Sequence, residues 1–326
     1  MTPIRWVVAA AVLLGLVLAG LAIDAFQHDM IRARAPLTAG SLLIDSPFGP
    51  IEYADVGDGP VVLVIHGSGG GFDQGLAFSA RLDRSQTRII APSRFGYLRS
   101  AMPQDASPQM QADALAYLLD NLGVEQAVIF GGSAGALSAA QLALRHPRLC
   151  RGLALGVPAL YGPGRAPEER APASWTVRTL TDLALGSDLV FWLAVRGAPD
   201  LMTRMVLATE PEVLRAAGAE ESARAAHVLF HILPISARRR GIAMDSATAG
   251  SPPPYPLQDL TCPVLAISAR DDLYGTADAA AHAVALAPRG RLILFDQGGH
   301  LWAGHDAEVW AAIAGFIADP DGSVTP

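Results

Sequence analysis

The sequence predicts an α/β fold: a mostly parallel eight-stranded sheet covered by helices on both faces, with a helical cap inserted after the sixth strand. Short apolar runs rich in branched side chains alternate with helical patterns, which is typical of parallel strands joined by covering helices. Between Val157 and Val264 this alternation stops for about 100 residues, far more than a loop in a compact domain. These two observations predict the sheet and the cap respectively.

The first element is an apolar segment at the N-terminus. Eighteen uncharged residues run from Trp6 to Ile23, close to the shortest length that spans a bilayer as a helix. The best signal-cleavage candidate, Gly20-Leu21-Ala22, is a poor match to Ala-x-Ala. We therefore expect residues 1–36 to be a membrane anchor followed by a polar linker, with the folded domain exported. The alternative is a cleaved signal that leaves a secreted or periplasmic protein.

The strands follow. A hairpin-like break at Ser46–Pro50 separates the first two apolar runs, and the β-branched run Val61–Ile65 is typical of a strand buried on both faces. The eight predicted strands contain Leu42–Ile44, Ile51–Tyr53, Val61–Ile65, Ile89–Ile90, Val128–Phe130, Leu153–Leu155, Val264–Ile267 and Leu292–Phe295.

Helical patterns lie between and after these strands. Within the sheet region they are predicted over Met110–Leu122 and Ala134–Arg145. In the long insertion, helices are predicted over Trp175–Leu185, Leu189–Val195 and Leu201–Leu207. We expect residues 37–157 and 259–320 to form the core domain and residues 158–258 to form the cap.

Composition excludes several classes of protein. Of 326 residues 51% are hydrophobic, and a net charge of −7 with a single basic run at Arg238–Arg240 argues against nucleic-acid binding. The sequence contains no lysine, which excludes P-loop and Schiff-base chemistry. Cys150 and Cys262 show no metal-ligand spacing and are expected to be buried small side chains. We expect neither a metal nor an organic cofactor.

A Gly-x-Ser-x-Gly motif, Gly131 to Gly135, lies between an apolar strand and a helical pattern. In that setting a sharp turn lifts the serine hydroxyl out of the sheet, and glycines remove side chains that would collide across it. The helix N-terminus favours a developing negative charge. The pattern predicts Ser133 as a nucleophile; the alternative is an ordinary glycine-rich turn.

A second glycine-rich segment, His66–Gly71, follows the Val61–Ile65 strand. Such a loop can aim backbone N–H groups at a developing oxyanion. The expected donors are the N–H groups of Ser68 and Ala134, with Gly69 as the substitute for Ser68. A phosphate-binding loop is less favoured because no lysine follows and no acid is placed for a ribose. We expect His66 to be structural.

A base and an orienting acid are predicted further along the chain. His300 follows the last strand and two glycines, so it can reach a serine raised above the same sheet edge. His305 is the near alternative. The turn after Val264–Ile267 contains two adjacent acids, Asp271 and Asp272. Only one of them can point at the histidine and hold its tautomer.

With these residues assembled, the sequence resembles the α/β-hydrolase fold family, particularly its capped esterase, lipase-like and carbon–carbon-bond hydrolase members. The resemblance covers roughly Leu42 to Ile317 and rests on the His66-Gly67 loop, Pro92–Ser100, and the Ser133, Asp272 and His300 motifs. The family's acid typically takes the fourth position of a Gly-x-x-Asp turn. This resemblance favours Asp272 over Asp271, which we then expect to be solvated. The chain departs from the family at Ala269 and Leu98, where glycine is common, and at Thr276, where proline is common.

The resemblance also implies an activity. Haloalkane dehalogenases and epoxide hydrolases place an aspartate at the nucleophile, so Ser133 favours acyl transfer. The expected function is hydrolysis of an ester-like acyl bond of a small, hydrophobic substrate through an acyl-enzyme. Carbon–carbon bond hydrolysis of diketone-type substrates and cofactor-free perhydrolase chemistry are alternatives. A non-catalytic, membrane-tethered binding module is less favoured because no triad residue and no glycine of the oxyanion loop is missing.

Overall fold

Eight strands form one sheet in the order β1-β2-β4-β3-β5-β6-β7-β8 in a computed structural model, which describes residues 3–164 and 185–322. The strands are β1 Leu42–Ile44, β2 Ile51–Val56, β3 Val61–Ile65, β4 Arg88–Pro92, β5 Ala127–Gly132, β6 Cys150–Gly156, β7 Val264–Ala269 and β8 Gly290–Phe295. β2 pairs antiparallel with β1 and β4, and the other neighbours are parallel. The predicted eight-stranded, mostly parallel sheet is confirmed, and each strand contains its predicted apolar run.

The structure describes eleven α-helices, of which those next to the sheet cover both of its faces. They are α1 Pro3–Arg34, α2 Phe72–Phe78, α3 Pro108–Asn121, α4 Gly135–Arg145, α5 Asp188–Gly197, α6 Pro199–Val206, α7 Pro211–Ala217, α8 Ala219–Phe230, α9 Arg239–Ala249, α10 Thr276–Leu286 and α11 Asp306–Ala318. Along β3, Leu63 and Ile65 pack in one core with α3, α4 and α10, while Val62 and Val64 pack in another with α2 and α11. Side chains alternate across a strand, so a continuous apolar run fills both cores.

The long insertion is helical where it is described. α5 to α9 lie between β6 and β7, after the sixth strand as predicted, and bury a third apolar cluster that includes Phe191, Leu229 and Ile235. The predicted helices over Leu189–Val195 and Leu201–Leu207 correspond to α5 and α6. The predicted helix over Trp175–Leu185 lies outside the described residues except for Leu185. The domain boundaries at 158–258 stay a prediction.

The N-terminal helix α1 has two parts. Its apolar part is exposed and, by length and composition, could cross a membrane or serve as a signal sequence. Its last turns pack against α5: the Phe26 ring lies edge-on to Trp192 at 5.6 Å, and Met30 and Ala33 join the same apolar cluster. The expectation of a polar linker before residue 36 was wrong. Phe26, Met30 and Ala33 lie four and three residues apart, which places them on one face of the helix.

Candidate active site

The turn between β5 and α4 holds Ser133 in a strained conformation. Ser133 has φ of 50°, a left-handed value that non-glycine residues rarely adopt. A Cβ on Gly131 would lie 2.6 Å from Ala139 Cβ, and one on Gly135 would lie 2.5 Å from the His66 carbonyl oxygen. Side chains at both glycine positions would therefore collide with their neighbours. The glycines permit the tight strand-to-helix turn that presents the serine hydroxyl.

Three of the predicted residues form one chain of hydrogen bonds. His300 Nε2 lies 2.9 Å from Ser133 Oγ, and His300 Nδ1 lies 2.8 Å from Asp272 Oδ2. A carboxylate only accepts hydrogen bonds, so Asp272 places the imidazole proton on Nδ1. His300 Nε2 is then free to accept the proton of the Ser133 hydroxyl. The structure thus brings the predicted serine, histidine and acid together.

The Asp272 carboxylate is buried but well supplied with donors. Oδ1 accepts the Tyr274 N–H at 2.9 Å, and Oδ2 accepts the Thr276 hydroxyl as well as His300. Burial raises the pKa of Asp272, but the neighbouring His300 charge and these hydrogen bonds outweigh it and hold that pKa below 3.8. The carboxylate therefore stays ionised at neutral pH. Thr276, which stands where the family commonly has proline, is one of its donors.

Asp271 contacts the backbone that precedes His300. Its carboxylate accepts the Gly299 N–H at 2.8 Å and the Gly298 N–H at 3.1 Å. On the other side, the Thr209 hydroxyl accepts the His300 N–H at 3.0 Å. The expectation that Asp271 is solvated was wrong, because it holds the histidine loop. Thr209 comes from the insertion, and no sequence signal pointed to it.

Ser68 and Ala134, the residues expected to supply the N–H donors, line the same cavity as Ser133 and His300. The substitute donor, Gly69, is already engaged, since its N–H donates to the Tyr97 hydroxyl at 3.3 Å. Within residues 3–164 and 185–322, the Ser68 and Ala134 N–H groups have no acceptor. Two residues that line the cavity beside Ser133 therefore keep a backbone donor without an acceptor.

His66 has a structural environment, as expected. It is fully buried, its Nδ1 donates to the Gly67 carbonyl at 2.7 Å, and its Nε2 accepts the Arg94 N–H at 2.9 Å. Burial and the Arg94 charge lower the pKa of His66 well below 6.5. The ring is therefore neutral and holds two loops together.

A buried polar network supports the Ser68 loop. Arg94 Nη1 donates to Asp245 Oδ1 at 2.7 Å, and the Tyr97 hydroxyl donates to Asp245 Oδ2. Burial first, and the Asp245 charge second, raise the pKa of Tyr97, so its phenol stays a donor. The network links α9 of the insertion to the glycine-rich loop. Asp245 carried no recognisable motif, so sequence reasoning missed it.

Two cavities open onto Ser133 and His300. The smaller, about 230 Å³, is also lined by Asp245, Tyr274 and Thr276. The larger, about 390 Å³, has mostly apolar walls. Its large apolar lining residues are Phe78, Val157, Val228, Leu301, Trp302 and Trp310. A substrate can therefore extend to both sides of the serine.

The two cysteines are buried and unbridged, as expected. In the part of the chain that the structure describes, no group of three or more His, Cys, Asp or Glu side chains is placed to hold a metal ion.

About a third of the chain is similar in sequence to hydrolases of Pseudomonas putida. The 2-hydroxymuconate semialdehyde hydrolase of Pseudomonas putida is 38% identical over 104 residues, 31% of this chain and 37% of that protein. A 2-hydroxy-6-oxononadienedioate/2-hydroxy-6-oxononatrienedioate hydrolase of Pseudomonas putida is 35% identical over 104 residues, 30% of this chain and 36% of the relative. The chain thus aligns with little more than a third of these relatives' length.

Solved structures match much more of the chain. An α/β-hydrolase fold protein from Nakamurella multipartita has a TM-score of 0.64 and 25% identity, covering 85% of this chain and 98% of its own. A malate-bound esterase from Thermogutta terrifontis has a TM-score of 0.65 and 21% identity, covering 87% and 100%. At that identity the esterase shares the fold alone.

A family model also matches this chain. Residues 60–303, more than half of the chain, match the model described as the α/β-hydrolase fold. The strand order, the helices on both faces and the strained serine after β5 agree with that match. The chain belongs to the α/β-hydrolase fold family.

Proposed function

We propose that the protein is a serine hydrolase that cleaves an ester-like acyl bond of a small, largely hydrophobic substrate through an acyl-enzyme. Ser133 is the nucleophile, His300 the general base and Asp272 the acid that orients it. The observation that carries this proposal is the unbroken chain of hydrogen bonds from Asp272 through His300 to Ser133.

Acylation begins with proton transfer. As Ser133 Oγ bonds to the carbonyl carbon, His300 Nε2 takes the hydroxyl proton, and the carbonyl π electrons move to the oxygen. The Ser68 and Ala134 N–H groups donate to this oxyanion; removing one such donor typically costs about 3 kcal/mol. Asp272 stabilises the imidazolium, because its carboxylate is ionised and bonded to Nδ1.

The intermediate then collapses to the acyl-enzyme. The carbonyl reforms, the bond to the leaving oxygen breaks, and that oxygen takes the proton from His300 Nε2. In the second half, His300 removes a proton from water, whose oxygen attacks the acyl carbon. Collapse releases the carboxylic acid and returns the proton to Ser133 Oγ.

The apolar walls of the larger cavity support a hydrophobic substrate group. Val228 of the insertion helix α8 forms one of these walls, and Trp310 of α11 forms another. Apolar side chains from the insertion and from the core domain thus line the cavity beside the bond to be cleaved. We therefore assign residues 158–258 the role of a cap over the strand ends.

The exposed part of α1, Trp6 to Ile23, supports a membrane anchor with the folded domain exported. Cleavage as a signal, leaving a secreted or periplasmic domain, is the alternative. Alkaline extraction of membranes and the mass of the mature chain distinguish the two. An anchored protein stays with the membrane at full mass.

Fluorophosphonate labelling tests the nucleophile. The wild-type protein should be labelled and should hydrolyse p-nitrophenyl esters, and Ser133→Ala should lose both properties with an unchanged circular-dichroism spectrum. Full activity in Ser133→Ala would refute the mechanism. The dependence on ester chain length then measures the apolar cavity.

Carbon–carbon bond hydrolysis is the second candidate. It is favoured by the 38% identity to a 2-hydroxymuconate semialdehyde hydrolase over 104 residues. A comparison of kcat/KM for a vinylogous diketone and for p-nitrophenyl esters decides between the two. A diketone preference of about a hundredfold or more, equal to roughly 2.8 kcal/mol, would assign this second function.

A further inference from the structure

We propose that a patch of exposed apolar side chains on α5, α6 and the turn after β7 rests on the bilayer beside α1, so that the site takes acyl esters carried by membrane lipids. This inference rests on the proposed hydrolase function and names its substrate class. The membrane-facing patch consists of Leu189, Leu193, Leu201, Met205, Leu273 and Tyr274.

The end of α1 is fixed to the insertion by polar contacts. The Asp29 carboxylate is buried and accepts the Trp192 indole N–H at 2.8 Å and the Arg196 Nε–H at 3.1 Å. Arg34 lies 3.6 Å from Asp188 at the start of α5. A buried carboxylate without these donors would be costly. The end of α1 is therefore held against α5 rather than loosely tethered to it.

The insertion helix α5 lies close to the bilayer that α1 would cross. The apolar segment ends at Ile23, and the contact with α5 begins at Phe26, about 4.5 Å further along the helix. A lipid headgroup layer is about 5–7 Å thick on either side of the hydrocarbon core. With Trp6 to Ile23 in the bilayer, α5 lies at the level of the headgroups.

The side chains of the membrane-facing patch are exposed to solvent. Leu189 and Leu193 on α5 are 42% and 49% exposed, and Leu201 and Met205 on α6 are 54% and 52% exposed. Each pair is four residues apart and so lies on one face of its helix. Single exposed leucines are ordinary, but a group of apolar side chains beside a membrane helix is typical of a membrane-contact surface.

The turn after β7 connects the patch to the active site. The Tyr274 hydroxyl donates to the Met205 carbonyl at 3.3 Å, and the Leu273 N–H donates to the Ala208 carbonyl at 3.0 Å. The Tyr274 ring lies edge-on to His300 at 5.0 Å and lines the smaller cavity. Tyr274 thus joins the patch to the cavity that Ser133 and His300 line, and an acyl chain from the bilayer enters the site past this side chain.

A kinetic test uses the full-length protein in phosphatidylcholine–phosphatidylglycerol vesicles. It compares hydrolysis of a fluorogenic phospholipid in the vesicles with hydrolysis of water-soluble p-nitrophenyl acetate. Leu201→Glu should lower the ratio of the two rates by about tenfold or more, because a charged carboxylate replaces an apolar side chain that the bilayer buries. Leu292→Glu, the same change on the outer strand β8, should leave the ratio unaltered. Equal ratios in the two variants would overturn the proposal.

A second measurement does not depend on activity. Because Cys150 and Cys262 are buried, a nitroxide can be attached selectively to Met205→Cys or, as control, to Leu292→Cys. In vesicles the label at position 205 should collide more with oxygen and less with an aqueous nickel complex than the control label. Equal collision rates would overturn the proposal, and so would spin–spin broadening at 205, which indicates a second copy on the patch. Failure of wild-type protein to hydrolyse any ester would instead refute the hydrolase proposal while leaving the labels informative.

Discussion

Asp271 and Asp272 are adjacent, yet their carboxylates hold different parts of the same histidine loop. Asp272 Oδ2 lies 2.8 Å from the His300 ring, whereas Asp271 accepts the backbone N–H groups of Gly298 and Gly299. One acid thus sets the tautomer of the imidazole, and the other sets the path of the chain that carries it. Because the roles differ, substitutions at the two positions should have different kinetic effects.

Asp272→Asn should lower kcat by about 10³- to 10⁴-fold, because an amide no longer selects the tautomer in which Nε2 accepts the serine proton. Asp271→Asn, the matched change one residue away, should lower kcat by only about tenfold, because an amide oxygen can still accept one N–H. Steady-state kinetics on a water-soluble ester measure both. Similar losses in the two variants would contradict the assignment of Asp272.

Acid stability should report the same carboxylate. The folded-state pKa of Asp272 is lowered, so its contribution to stability is present above the unfolded pKa of about 3.9 and is lost as pH falls through the folded value. Urea unfolding of wild type and Asp272→Asn should therefore give free energies that converge as the pH falls below about 4. A constant difference between them over that range would show that the carboxylate is not stabilised in its charged form.

Much of the fold could be predicted because its signals are local. A strand such as Val61–Ile65, which is buried on both faces, is an uninterrupted apolar run. The functional residues lie just past the ends of such parallel strands. Ser133, Asp272 and His300 all follow strands in this way. They meet because those strand ends share one edge of the sheet.

The remaining parts depend on contacts between distant residues. Thr209 and Asp245 come from the insertion, where neither a motif nor a strand end marks them, and they were found only through their contacts with His300 and Arg94. The docked end of α1 was missed because polar residues such as Gln27, His28 and Asp29 suggest a solvated linker. Its partner, Trp192, is 163 residues away in the chain. Such pairings are set by tertiary packing, which a local pattern does not encode.

Tyr97→Phe should lower kcat by about tenfold with little change in KM. The hydroxyl accepts the Gly69 N–H and donates to Asp245, so its loss loosens the loop that presents the Ser68 N–H to the oxyanion. Tenfold corresponds to about 1.4 kcal/mol, which is within the range of about 0.5–1.5 kcal/mol for the net contribution of one hydrogen bond. Tyr117→Phe, which removes an exposed hydroxyl bonded to the Asp45 carbonyl, should leave kcat unaltered. A rise in KM at constant kcat would place Tyr97 in substrate binding instead.

Gly135→Ala tests the tight packing beneath the serine turn. The added Cβ would lie 2.5 Å and 2.6 Å from the carbonyl oxygens of His66 and Ile65, which are backbone atoms of the adjoining strand and loop and cannot rotate away. We expect the free energy of unfolding to fall by about 1–3 kcal/mol. We also expect fluorophosphonate labelling to slow, because relief of the clash moves α4 and the Ala134 N–H away from the Ser68 loop.

Gly315→Ala is the control, since nothing lies within 4 Å of its added Cβ. Because Gly315 lies on the exposed face of α11, the alanine should raise stability by about 0.5–1 kcal/mol and leave labelling unaltered. Denaturant unfolding and labelling rates distinguish the two variants, and a Gly135→Ala protein as stable and reactive as wild type would mean that the strand and helix do not approach this closely.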